Sequence, residues 1–196
     1  MLMKKFLLQS AVTLLCMSMA AIVAPVMHAF EGPTIDLPTF RQPGTPAFFE
    51  KVIRERENAP IEVALVFGRS VGCTDADPLL IATVAREAVN AGLPPKVLAS
   101  TIAVESQCNP YAISSKGAVG LTQVQVKTWK TSFDFGKVNL FNPADNIHIG
   151  ARIMAGLVKE HGLSRGVQLY NGAGVGCDTC DGGYSNRVIA LAGGRQ

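Results

Sequence analysis

Apolar residues recur at helical spacing through most of the chain beyond residue 77. Asp77-Pro78 starts one such stretch, with Leu80, Val84 and Ala88 on one face and Gly92 as its stop. Pro94-Pro95 opens a second, which runs from Lys96 to Ser106 and sets Leu98, Thr101, Ile102 and Glu105 on a common face. Leu121 to Trp129 reads as a short helix. Asn142-Pro143-Ala144-Asp145 begins the clearest helix in the chain, with Ile147, Ile153 or Met154, and Leu157 or Val158 as its stripe and Gly162 as its end. Tyr184 to Leu191 makes a last short helix. Upstream, Ala47 to Asn58 has the charge density of an exposed helix, whereas the apolar run Ile61 to Phe67 fits a strand or a buried helix equally well. Residues 30–46 carry Pro33, Pro38, Pro43 and Pro46 with little periodicity, as in an extended leader. Phe133 to Phe141 reads as an irregular loop. The pattern predicts a mainly α single domain at residues 73–196, preceded by a Pro-rich leader with short elements at 30–72.

The start of the chain follows a different rule. Lys4 and Lys5 precede a nearly uncharged run from Phe6 to Met27, with the small residue Ala29 beyond it. This is the layout of a secretory signal peptide at residues 1–29, although the run is also long enough for an uncleaved membrane anchor. Cys16 lacks the small residues a lipoprotein site requires just before it. With cleavage, the mature protein is periplasmic and touches membrane only through the signal segment. Lys4 and Lys5 account for two of the 18 basic residues, so 16 remain against 15 acidic ones. A near-neutral chain without a basic patch argues against nucleic acid as a partner.

Cys73, Cys108, Cys177 and Cys180 remain beyond the signal, an even number in an exported chain, and allow three disulfide connectivities. The helices from Asp77 and from Pro94 are joined by a short turn and so run antiparallel. That brings Cys73, before the first, near Cys108, after the second. The expected pairs are Cys73–Cys108 and, by default, Cys177–Cys180. A redox CxxC at Cys177–Cys180 lacks its strand-then-helix setting. His148 and His161 lack ligand spacing to the cysteines, so no metal or other cofactor is called for.

Glu105 is the candidate for chemistry. Reading outward from it, the next acids are Glu87 and Asp134. It stands on an otherwise apolar helical face, close to the helix C-terminus. Burial and the partial negative charge of that end both favour the neutral carboxyl. A carboxyl kept protonated near neutral pH is what a general acid requires, and a solvated or ion-paired glutamate is the alternative reading.

Around this acid lies an ordered set of short motifs. It comprises Glu105-Ser106, Asn109-Pro110, Ala112, Ser114, Gly117-Ala118 and Gly120-Leu121-Thr122-Gln123, then Asn142-Pro143 with Asn146-Ile147, then Tyr170-Asn171-Gly172. Taken in order, this set resembles the soluble lytic transglycosylase family over roughly residues 77–192. The resemblance implies a lysozyme-like helical fold of the goose type, with a groove for the glycan strands of peptidoglycan. It implies that Glu105 is the sole catalytic carboxyl. That acid would protonate the oxygen between N-acetylmuramic acid and N-acetylglucosamine, then serve as base while the sugar's 6-hydroxyl closes a 1,6-anhydro ring. Under the same resemblance Gln123 and Tyr170 line the groove, Ser114 and Asn171 hold nearby loops or sugar groups, and Ser106 supports Glu105. Each has a plainer reading: turn stabilisation for the serines and Asn171, and a core position for Tyr170 with its hydroxyl bonded to Glu105.

The chain departs from the family pattern at Thr122, where methionine is common, at Ala173, and in carrying Cys108 and the CxxC loop. Size and analogy suggest a role in opening the wall for a secretion or conjugation apparatus. The rivals are a hydrolysing muramidase, which in the usual scheme needs a second carboxylate, and a non-catalytic wall-binding module.

Overall fold

The charged run from Ala47 and the apolar run from Ile61 form one helix, α1 (Pro46–Phe67), in a computed structural model that describes residues 46–172 and 181–193. The ambiguity of Ile61–Phe67 has a simple cause. Ala59, Val63, Val66 and Phe67 face the core, while Ile61 and Leu65 remain exposed, so a helix with apolar residues on both faces presents an apolar run broken only by Glu62. Pro60 lies inside the helix and removes one internal hydrogen bond, a loss of about 3 kcal/mol in isolation. Burying Val63, Val66 and Phe67 returns about 1.5–3 kcal/mol each, which is enough to keep the helix continuous.

The remaining helices are α2 (Pro78–Ala91), α3 (Pro95–Ser106), α4 (Val126–Trp129), α5 (Pro143–His161), α6 (Leu163–Tyr170) and α7 (Tyr184–Leu191), with a 3-10 turn at Phe135–Lys137. Among the described residues the fold is mainly α, and the only strand-like features are two isolated antiparallel bridges, Ile113 with Val119 and Val119 with Val124. The capping signals act as expected. Asp77 accepts from the Leu80 amide at 2.7 Å, Gly92 closes α2 in a left-handed conformation, and Asn142 accepts from the Ala144 and Asp145 amides. The helix expected over Leu121–Trp129 is shorter. Residues 119–124 are held in a tight loop by the Val119–Val124 bridge, and only Val126–Trp129 coils.

Helix α3 occupies the centre and packs against α1, α2 and α7. Eight of its twelve residues are buried, from Val97 through Ala103 and again at Ser106. A helix enclosed on nearly every side shows little amphipathic contrast, so the single face inferred from spacing is here most of the helix surface. Helix α5 serves two clusters. Ile147, Ala151 and Met154 join the main core, whereas Ile149 and Ile153 pack with Val124 under Trp129, Phe133 and Phe135.

Cys73 and Cys108 form a disulfide with their Cα atoms 5.2 Å apart. The bond closes a loop of 35 residues, worth about 4 kcal/mol if it acts by limiting the unfolded chain. The expected Cys177–Cys180 pair and the signal segment lie outside the described residues. Among the described residues, no helix is long and apolar enough to cross a membrane.

Candidate active site

Glu105 is the penultimate residue of α3, and the backbone turns sharply behind it. Gln107 (φ 51°) and Cys108 (φ 61°) are consecutive non-glycine residues in the left-handed region, at a cost of about 1–2 kcal/mol each. The Gln107 amide still donates to the Ala103 carbonyl at 3.2 Å, so the helix closes before the chain leaves. Ser106 returns its hydroxyl to the Ile102 carbonyl at 3.1 Å and is buried, which makes it part of this helix end.

The Glu105 carboxyl is partly buried, and its pKa is pushed up to about 7. Loss of water is the main cause, and the Tyr184 hydroxyl and Arg187 act in the opposite direction without prevailing. Tyr184 is 2% exposed and belongs to the core. Its hydroxyl adjoins Glu105, yet no hydrogen-bond partner among the described residues is aligned with it. It faces the acid and, ahead of Arg187, is the first of the groups that hold the carboxyl's pKa down. The tyrosine's own ionisation is held well above the ordinary range, by burial first and then by the neighbouring Glu105 charge. Tyr170 is raised for the same reasons in the same order. Two phenols thus bracket the acid, and neither is available as an anion near neutral pH.

Tyr170 does not bond Glu105. Its hydroxyl donates to the Thr122 carbonyl at 2.7 Å. Thr122 is in turn tied to Asn146 of α5. The Thr122 amide donates to Asn146 Oδ1 at 2.8 Å, the Thr122 hydroxyl donates to the same oxygen at 2.7 Å, and Asn146 Nδ2 donates to the carbonyls of Val119 and Leu140, each at 2.9 Å. Both residues are fully buried, so this satisfied network fixes the loop against α5. Glycine is required beside it: a Cβ on Gly120 would overlap the Asn146 amide, and one on Gly150 would overlap the Thr122 hydroxyl.

The other expected residues lie as follows. Gln123 sits in the loop, not on a helix, with φ 51°, and its Nε2 donates to the carbonyls of Ala112 (3.1 Å) and Gly120 (2.9 Å). Ser114 Oγ accepts from the Ala118 amide at 3.0 Å. Asn171 is exposed at the end of α6. Asp134 and Asp145, the acids that could have folded towards Glu105, accept instead from the amides of Gly136 and Asn139. Among the described residues no carboxylate and no ion pair within 4.0 Å engages Glu105. Tyr184 and Arg187 were not legible as neighbours of the acid. They lie some eighty residues downstream, and only the packing of α7 on α3 joins them to it.

The fold is of the lysozyme-like all-α class, assembled around one near-neutral acid. Residues 83–179 match the family described as Transglycosylase SLT domain, so this part of the chain carries a lytic transglycosylase family domain. It is 33% identical over 87 residues to the endo-type membrane-bound lytic murein transglycosylase A of Cronobacter sakazakii, covering 39% of this chain and 41% of that protein. It is 31% identical over 86 residues to the protein of the same name from an Enterobacter species, covering 39% and 40%. The match thus spans about two fifths of the length of these curated relatives.

Proposed function

We propose that this protein cleaves the glycan strands of peptidoglycan by lytic transglycosylation, with Glu105 as both acid and base. The observation that carries this reading is a carboxyl poised at about pH 7 with no second carboxylate beside it among the described residues. Glu105 gives its proton to the bridging oxygen as the bond from C1 to that oxygen breaks. The sugar's own 2-acetamido oxygen supports C1, as in substrate-assisted glycosidases. The carboxylate so formed then takes the proton of the 6-hydroxyl, whose oxygen bonds C1 and closes a 1,6-anhydro ring. The acid is thereby regenerated without water.

Gln123, Tyr170 and Asn171 border the sugar chain in this reading. Ser114 and Ser106 shape the loop and the helix end, in keeping with the bonds they form. We place the protein in the periplasm, exported by residues 1–29, and assign it to local opening of the wall for a secretion or conjugation apparatus.

Mass spectrometry of fragments released from purified sacculi tests the chemistry. Anhydro-muramyl ends are expected, and Glu105→Gln should abolish their release while glycan binding persists. Reducing ends in their place would identify a hydrolase. Wild-type turnover by the Glu105→Gln protein would remove Glu105 from the mechanism.

A further inference from the structure

We propose that the Gly72–Cys73 segment is a positioning element for Glu105, acting through the two left-handed residues that end its helix. The inference rests on the reading of Glu105 as the working acid. Gln107 and Cys108 follow Glu105 by two and three residues in the chain, so the backbone that fixes them also sets how far the end of α3 can move. Both are held from the same side. Cys108 is covalently joined to Cys73. Gly72 lies close against Gln107, which is otherwise exposed: any Cβ at Gly72 would fall 2.8 Å from both the Gln107 Cβ and the Gln107 carbonyl oxygen. Gly72 itself has φ 81°, so its lack of a side chain serves both its own conformation and this close approach.

The brace is rooted in the core. A ladder of turn bonds leads out of α1: the Gly68 amide to Ala64, Arg69 to Val66, Ser70 to Phe67, and Cys73 to Ser70. The Ser70 hydroxyl adds a bond to the Val66 carbonyl at 2.7 Å, and Cys73 is 1% exposed. A rigid support of this kind keeps the Glu105 carboxyl under cover. The groups facing that carboxyl are Tyr184 and Arg187 from α7 and Tyr170 from α6. Its own helix adds the partial negative charge of its C-terminus. If the end of α3 slackens, the carboxyl gains water and its titration moves towards the ordinary carboxylate range.

Two variants test this without substrate. Cys73→Ala/Cys108→Ala removes the covalent tie, and Gly72→Ala pushes the brace off Gln107 with the disulfide intact. Substitution is preferred to reduction because a thiol reagent would also act on Cys177 and Cys180. The readout is the carbon-13 carboxyl signal of Glu105, identified by its loss in Glu105→Gln and followed against pH, with circular dichroism as the check on folding. Both variants should retain helical content while the Glu105 midpoint falls by about one pH unit from its starting value. A midpoint unchanged in either variant overturns the proposal, because a purely stabilising bond would lower the melting temperature and leave the titration alone. A carboxyl that shifts as expected in a protein inactive on sacculi would sink the proposed function and leave this inference standing.

Discussion

The hydroxyl of Tyr170 donates to the main-chain carbonyl of Thr122 at 2.7 Å, and this bond, rather than one to Glu105, fixes the phenol beside the acid. The ring acts as a wall of the site and the hydroxyl as its anchor. Tyr170→Phe should therefore cost about 1 kcal/mol of stability, since a part-buried carbonyl loses its partner. It should leave the pH midpoint of activity in place, because Tyr170 is not among the groups that set the Glu105 titration. Urea denaturation and a pH–rate profile check the two halves. A large shift of the midpoint would mean that the hydroxyl reaches Glu105 after all.

Thr122 and Asn146 carry the heavier structural load. Thr122→Val keeps the shape but removes the hydroxyl and should cost about 1–2 kcal/mol. Asn146→Leu removes the side chain on which four hydrogen bonds converge and should cost at least about 3 kcal/mol. The double substitution should cost less than the sum, because the bond from the Thr122 hydroxyl to Asn146 Oδ1 is lost in both. Equilibrium unfolding of the three variants checks this. Strict additivity would mean that the two residues do not form one network.

Much of this arrangement is legible in the chain, for reasons that differ from residue to residue. Asp77, Gly92, Asn142 and Pro143 mark helix ends because capping is decided within one turn of sequence. Cys73–Cys108 follows from two short-linked helices. Glu105 stands out because a carboxylate amid apolar residues is rare. Gln123 lies in a loop rather than on the expected helix because a short apolar and polar mixture does not reveal that Val119 and Val124 pair across it. The neighbours Tyr184 and Arg187 depend on long-range packing that no local pattern encodes.

Glu87 offers a test away from the acid. Burial pushes its carboxyl up, but bonds from His148 (2.9 Å) and Arg86 (3.0 Å) outweigh that and leave its pKa below 4.5. The stability linked to this depressed carboxyl is present above 4.5 and is lost as pH falls through the folded-state value. His148→Ala should raise the Glu87 midpoint towards 4.5 and weaken the tie between α2 and α5. Carboxyl titration by carbon-13 resonance checks it, and an unmoved midpoint would mean that Arg86 alone holds the charge.

Glu105 carries the opposite sign. Its folded-state pKa of about 7 exceeds the unfolded value of 4.5, so the folded protein holds a proton that the unfolded chain releases. The stability contributed by the neutral, buried acid is complete below 4.5 and disappears as pH rises through about 7. Above that point the fold must enclose a charge, at a penalty of roughly 3 kcal/mol, since every tenfold weakening of the acid on folding corresponds to about 1.4 kcal/mol. Glu105→Gln has no such proton. Its stability relative to the parent should be flat below pH 4.5, grow between 4.5 and 7, and level off above at an advantage of roughly 3 kcal/mol, even as turnover is lost. Guanidinium unfolding of both proteins at a series of pH values reads this directly. Parallel stability curves across the whole range would mean that Glu105 ionises as freely in the folded protein as in the unfolded chain, and an acid of that kind could not donate a proton near pH 7.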